Sequence, residues 1–484
     1  MNYKMMGRFI GKILMVEAVF MVPAMLISLW EREFAAVKAF MWSLAAILLV
    51  TGLLMGLCRG SKNKFYAREG LACVGLSWIV MSLLGCLPFY FSGVIPDFVD
   101  AFFEIVSGFT TTGASILPGV EGLPKGILYW RSFSHWLGGM GVLVFLLAVS
   151  SMGGGDNGYT MHLLRAESPG PNVGKLVPKM RKTAGILYLI YILLTVLDVF
   201  FLVLGDMSLF EAVCTAFGTV GTGGFGIRND SISSFSPYIQ NVCTVFMMLC
   251  GVNFTCFYLL LIRQFKSVFR DEELRLYLGV ALGSVLLIVL NLRGFYETLG
   301  ETVRHAAFQV ATIMTTTGYA TTDYELWPGF SKAILLGLMI IGASAGSTGG
   351  GFKCGRVLLV FKSLRRSVQK IVHPQKVQVV RVNGQPIDEK VIQNTNAYLA
   401  AYAFAVSLSF LLISVDGFSI TTNLSAVLAC FNNIGPGFEM VGPTCNFAGY
   451  STFSKLVLIW DMLAGRLEIF PILILFSRTT WAHR

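Results

Sequence analysis

The sequence predicts an all-α polytopic membrane protein, with two leading transmembrane helices followed by four pseudo-symmetric units of helix, re-entrant segment and helix. Three observations predict it. Of 484 residues, 55% are hydrophobic and only 13% charged, against about 25% charged in soluble domains, too little polar surface to cover a water-exposed globule of this length. Ten stretches approach the roughly 20 apolar residues that a spanning helix needs. Four shorter apolar stretches each run directly into small and polar residues around a glycine.

The first segment, 10–30, follows Lys4, Arg8 and Lys12 and has the charge pattern of a signal peptide. Its apolar part from Ile13 to Trp30 is too long for that, no A-x-A site ends it, and another apolar run follows at once, so it reads as a retained helix. The other candidate spans are 37–57, 70–92, 127–150, 183–204, 238–262, 276–292, 330–361, 396–414 and 453–477. Lys and Arg outnumber Asp and Glu by 37 to 27, and the surplus lies in short loops between spans. Arg59, Lys62, Lys64 and Arg68 form one such group; Arg165, Lys175, Lys179, Arg181 and Lys182 form a second. Arg263, Lys266, Arg270 and Arg275 follow, and Lys362, Arg365, Arg366, Lys370, Lys376 and Arg381 complete the set. The positive-inside rule puts these loops, and with ten spans both termini, in the cytoplasm. No basic cluster interleaved with aromatics stands apart from the apolar runs, so the partner surface is the lipid bilayer and not nucleic acid. Most of the ten cysteines lie inside apolar runs without CxxC pairing and read as small buried hydrophobes.

The re-entrant stretches end at Gly113, at Gly226 after Phe210, at Ala320 after Glu301 and at Gly437 after Thr421. Each is too short to span and too apolar for a free loop. Lined up on a glycine, the endings read TTTGAS (110–115), GTGGFG (221–226), TTTGYA (315–320) and NIGPGF (433–438). Gly113, Gly223, Gly318 and Gly435 then lie 110, 95 and 117 residues apart. Such a period implies four similar units around one axis: leading helices in 1–62, then units in 63–155, 156–268, 269–372 and 373–484.

Four non-helical turns at membrane depth need a protein or water-lined path around them. A cation crossing a bilayer must exchange its water for other oxygens, and backbone carbonyls from converging loops supply them without net charge. Glycine permits the backbone conformations this needs, and threonine hydroxyls add oxygens. The fourth ending has Asn432, Asn433 and Ile434 before Gly435 and Pro436 after it, so the ring is chemically uneven there.

These endings resemble the selectivity-filter loops of the Trk/Ktr/HKT superfamily of potassium transporters. HWLGGMGVLVF (135–145), GASAGSTGGGFK (342–353) and MLAGRLEIFP (462–471) also match, and the two leading helices are similar to the TrkH type. The resemblance covers nearly the whole chain. It implies four helix, pore-loop, helix units around one pore, a homodimer, and a cytosolic nucleotide-binding regulatory subunit of the TrkA kind. Potassium would be the transported ion, with no cofactor in the chain, taken up through a gated pore. Its binding positions would be the carbonyls of Thr111, Thr112 and Gly113, of Gly221, Thr222 and Gly223, of Thr316, Thr317 and Gly318, and of Asn433, Ile434 and Gly435.

The glycine run containing Gly346, Gly349, Gly350 and Gly351 interrupts the eighth span, where a straight helix would be penalised. It fails the phosphate-loop pattern, since Phe352 precedes Lys353 and Cys354 follows. Close packing of small residues is the bland reading; the resemblance implies a flexible gate beneath the filter. GTGGFG also fits GxGxxG but lacks the strand and helix around it. Arg466 is costly at membrane depth. An ion pair with Asp461 or Glu468, or snorkelling, explains it structurally, whereas the resemblance implies a pore-lining charge that opposes cation passage; Lys353 either adds to it or marks a helix end. His135 and His305 lack partners at metal-ligand spacing and read as packing or interfacial histidines. Asp97, Asp100, Glu104 and Glu121 either attract cations to the outer mouth or form a solvated face. KVQVVRVNGQPI (376–387) signals a hairpin at Asn383-Gly384, a dock for the regulator or an ornament. Two rivals stand beside the superfamily's own Na+- or H+-coupled symport. An organic-solute transporter would more usually show paired halves, and an enzyme needs a convergent catalytic set that is not assembled here.

Overall fold

The structure, a computed structural model, describes residues 3–58, 67–152, 180–375 and 378–481. Arg59, Lys62, Lys64, Arg165, Lys175, Lys179 and Lys376, and the unit boundaries expected at 62/63 and 155/156, lie outside the described residues. The described residues are mostly helical, with one short hairpin. The leading helices Tyr3–Trp30 and Phe34–Leu57 pair with each other, and the first also packs on the first unit. Gly126 permits that approach, since a Cβ there would lie 2.6 Å from the Ala24 carbonyl oxygen.

Four short helices, Phe98–Phe109, Leu209–Gly221, Leu299–Met314 and Ile420–Phe431, occupy the positions expected for the re-entrant segments. We call them pore helices 1 to 4. Each begins at a side-chain N-cap: Asp97 accepts from the amides of Val99 and Asp100, Ser208 from Glu211, Thr298 from Glu301 and Ser419 from Thr422. Such caps satisfy amides that a helix start leaves unpaired, typically worth about 1 kcal/mol each. All four are buried towards their C-terminal ends.

The ten expected spans correspond to helices of two kinds, unbroken and broken. Tyr3–Trp30, Phe34–Leu57, Arg68–Phe91, Gly185–Leu204, Glu272–Asn291 and Glu389–Asp416 are each long and apolar enough to cross a membrane. The helix after pore helix 1 runs Lys125–Met152. The helices after pore helices 2, 3 and 4, which the sequence reads as single spans in two of three cases, are all broken. Pro237–Cys250 and Phe254–Leu261 meet at 90°, Gly329–Ile341 and Cys354–Val372 are separated by the glycine run, and Thr452–Arg466 and Phe470–Phe476 by residues 467–469. The first break is held from outside: Ser344 donates to the Gly251 carbonyl and Phe254 to that of Gly346, both at 3.0 Å.

The expected hairpin forms. Arg381–Val382 pairs antiparallel with Gln385–Pro386, and Asn383 and Gly384 take φ of 52° and 78°, as a two-residue turn requires. It is docked on the chain itself: Asn383 donates to Asp271 at 2.7 Å and accepts from the Glu272 amide at 2.8 Å.

Candidate ion pathway

The pore helices end alike. Thr112, Gly223, Thr317 and Ile434 each donate a 2.8 Å hydrogen bond to the carbonyl five residues back, on Ser107, Gly218, Thr312 and Ala429. Between them a left-handed residue turns the chain: Thr111 (φ 55°), Thr222 (54°), Thr316 (58°) and Asn433 (56°). Two residues on, a glycine takes positive φ again: Gly113 (82°), Gly224 (81°), Gly318 (92°) and Gly435 (99°). This corrects the register of the second loop by one residue. Gly224, not Gly223, stands with the other three glycines, and Gly221 is the last residue of pore helix 2. Two adjacent glycines hid this in the sequence. The distance from the cap shows it, because Asp97, Ser208 and Ser419 each precede their left-handed residue by 14 positions.

The glycines also fix how the loops meet. A Cβ on Gly113 would strike the Gly223 carbonyl oxygen, one on Gly224 that of Thr317, and one on Gly318 that of Ile434; on Gly435 it would lie 2.9 Å from that of Thr112. Each loop therefore presses its glycine on the preceding-position carbonyl of the next, and the sequence of contacts closes from the fourth unit to the first. The carbonyl-bearing C-termini of four helices, the negative ends of their dipoles, converge on this ring and favour a cation there. The hydroxyls are uneven. Thr110 and Thr112 bond at 2.7 Å and Thr315 and Thr317 at 2.8 Å, the second loop has Gly221 and Gly223 at those places, and Asn433 donates to Thr112 Oγ1 at 2.9 Å and to the Met462 carbonyl at 3.0 Å.

Against the helix ends lies the glycine run. Gly350 donates to Thr316 Oγ1 at 2.6 Å, Gly349 approaches the Thr315 carbonyl, and a Cβ on Gly350 would meet that of Asn432. Gly346 and Gly351 both have positive φ, and Lys353 (φ 72°) turns its amine back on the Gly349 carbonyl. Arg466, 8% exposed, donates to the carbonyls of Thr348 at 2.8 Å and Gly138 at 2.7 Å, tying the run to the first unit. The acids offered as its partners are engaged elsewhere: Glu468 pairs with Arg356, and Asp461 accepts from Ser409 at 2.6 Å. Glu273 accepts from the Ala345 amide at 2.6 Å and lies against Gly355, so it touches the chain on both sides of the run.

Each of the four acids near the first unit has a structural partner. Asp97 is the helix cap, Asp100 pairs with Lys455 at 2.6 Å, Glu121 accepts from the Asn229 amide at 3.0 Å, and buried Glu104 pairs with Arg131 at 2.6 Å. His135, read from sequence as a packing residue, is fully buried between pore helix 1 and the second loop and bonds to both. Its partner lies 90 residues away, so no local pattern marks it. Among the described residues, no group of three or more His, Cys, Asp or Glu is placed to hold a metal ion.

Residues 36–481 match the family model TrkH, described as a cation transport protein. The chain is 36% identical to the Trk system potassium uptake protein TrkH of Salmonella typhimurium, over 99% of this chain and all of that one. It is 31% identical to the Trk system potassium uptake protein TrkG of Escherichia coli, over 97% of each. The crystal structure of the potassium transporter TrkH from Vibrio parahaemolyticus superposes over the whole of both chains with a TM-score of 0.89 at 32% identity.

Proposed function

This chain belongs to the TrkH family of cation transport proteins, and from that premise we propose that it takes up potassium through one pore whose selective element is the ring of loop carbonyls. It is a multi-pass plasma-membrane transporter and not an enzyme, since the ion crosses unchanged. The observation that carries the pore reading is the closed sequence of glycine-to-carbonyl contacts from unit to unit. The ring offers the carbonyls of Thr112, Gly223, Thr317 and Ile434, with those of the flanking turn residues Thr111, Thr222, Thr316 and Asn433 and of the four glycines, in place of the ion's water.

The run Gly342–Lys353 is the gate. Its contacts with the ends of pore helices 3 and 4 keep it across the path, and Arg466 and Lys353 place positive charge where a cation would leave the ring. Opening requires the run to give up the Thr316 and Arg466 contacts, and its glycines make the change sterically cheap. The relatives are named as parts of a Trk system, which supports a cytosolic nucleotide-binding subunit of the TrkA kind acting on this gate. A homodimer, four units with the stated limits, and cytoplasmic termini complete the proposal. Rubidium uptake by proteoliposomes tests it: potassium should compete with rubidium far better than sodium does, and equal competition would reject the carbonyl ring as the selective element.

A further inference from the structure

We propose that His135 is a positioning residue of the ring, aiming the Gly224 carbonyl toward the ion path through the Phe225 amide. The inference rests on the reading of the ring as the selective element. Phe225 donates its amide to His135 Nε2 at 3.1 Å. An amide can only donate, so Nε2 carries no proton; Nδ1 then carries it and donates to the Gly108 carbonyl at 2.8 Å. The ring is thus the neutral imidazole in one tautomer, set by its two partners.

The consequence follows from the planar trans peptide. The Phe225 N–H and the Gly224 C=O belong to one peptide unit and point in opposite directions. Fixing the N–H on His135 turns the Gly224 oxygen to the opposite side of the loop, where the four loops meet. Gly223 has no side chain because one would run into the imidazole, so the ring sits directly behind the turn. One helical turn earlier on the same helix, Arg131 donates to the Gly226 carbonyl at 2.9 Å and lies 3.6 Å from the centre of the Phe225 ring. Glu104 of pore helix 1 holds Arg131 in turn. Two residues four apart therefore grip one N–H and one C=O of the second loop from behind, and both are anchored on pore helix 1. In the fourth loop the residue following the ring glycine is Pro436, which has no N–H to hold, so this control of carbonyl direction differs between units.

Three variants separate positioning from packing. His135→Phe keeps a flat ring and neither hydrogen bond. His135→Asn keeps a donor near Nδ1 for Gly108, and His135→Gln keeps an acceptor near Nε2 for Phe225. In proteoliposomes the potassium-to-sodium permeability ratio should fall about tenfold in His135→Phe and His135→Asn, the scale of one lost buried hydrogen bond, and stay within about threefold of the unaltered protein in His135→Gln. Retained selectivity in His135→Phe, or an equal ratio in the Gln and Asn variants, overturns the assignment. If the Phe variant fails to fold, the Gln and Asn pair decides alone. Absence of potassium preference in the unaltered protein would reject the ring itself, a different failure from variants that match a selective parent.

Discussion

Replacing Gly318 with Ser tests the ring at a position where positive φ and a tight contact with the next loop coincide. At φ 92° this glycine lies beyond the left-handed region that other residues visit, and an L side chain there costs about 1–3 kcal/mol in backbone strain. The new Cβ would also strike the Ile434 carbonyl oxygen and lie 3.1 Å from Pro436 Cδ and 3.3 Å from the Ile434 carbonyl carbon. Ordinary contact requires the third and fourth loops to part by roughly 1 Å. An opening of that size moves one carbonyl off an ion that selection needs to coordinate closely. If 1–2 kcal/mol of the strain falls on the selective arrangement, the potassium-to-sodium ratio drops by about 5–30-fold. The assay is the reversal potential under bi-ionic conditions, with fold checked by monodispersity after solubilisation. A well-folded Gly318→Ser protein with the parent's ratio would refute the reasoning.

The gate yields two predictions. Arg466→Gln withdraws at least one of the donors to Thr348 and Gly138, weakening the closed arrangement by about 1–3 kcal/mol, so radiolabelled rubidium flux without a regulator should rise while ion preference stays the same. Glu273→Ala releases the Ala345 amide, a bond to a carboxylate worth about 1.5–3 kcal/mol, and should likewise raise basal flux; unchanged flux would mean that Glu273 serves only the local backbone. Asn383→Ala loses the bonds to Asp271 and Glu272 and puts Ala at φ 52°, a local cost of about 1–2 kcal/mol, so amide exchange across 378–388 should quicken without change in selectivity.

The helical class and the positions of the four re-entrant segments were legible because apolar length and glycine endings are local properties of the chain; the polar caps are local too but went unread. Asp97, Ser208, Thr298 and Ser419 stand where the helices begin, and Asn383-Gly384 turns the hairpin as its composition requires. What depends on contacts between units was not legible. In the run 238–262 Gly251 and the helix cap Asn253 are the local signs of a break, whereas the 90° angle depends on Ser344 and Gly346 of the neighbouring unit. The break at 467–469 puts Ile469, a β-branched residue, at φ 66°, against its own preference. Gly223 and Gly224 are interchangeable as letters and differ only in the backbone they adopt. Glu104 and His135 look like a surface acid and a spare histidine until Arg131 and the second loop are placed beside them.

The central claim is that four backbone loops select the ion, and the reversal potential of the purified protein under opposed potassium and sodium gradients tests it most directly. A reversal close to the potassium equilibrium value, with rubidium passing nearly as well and lithium poorly, is the predicted result. Current that reverses near zero, with all of these cations passing alike, would contradict it.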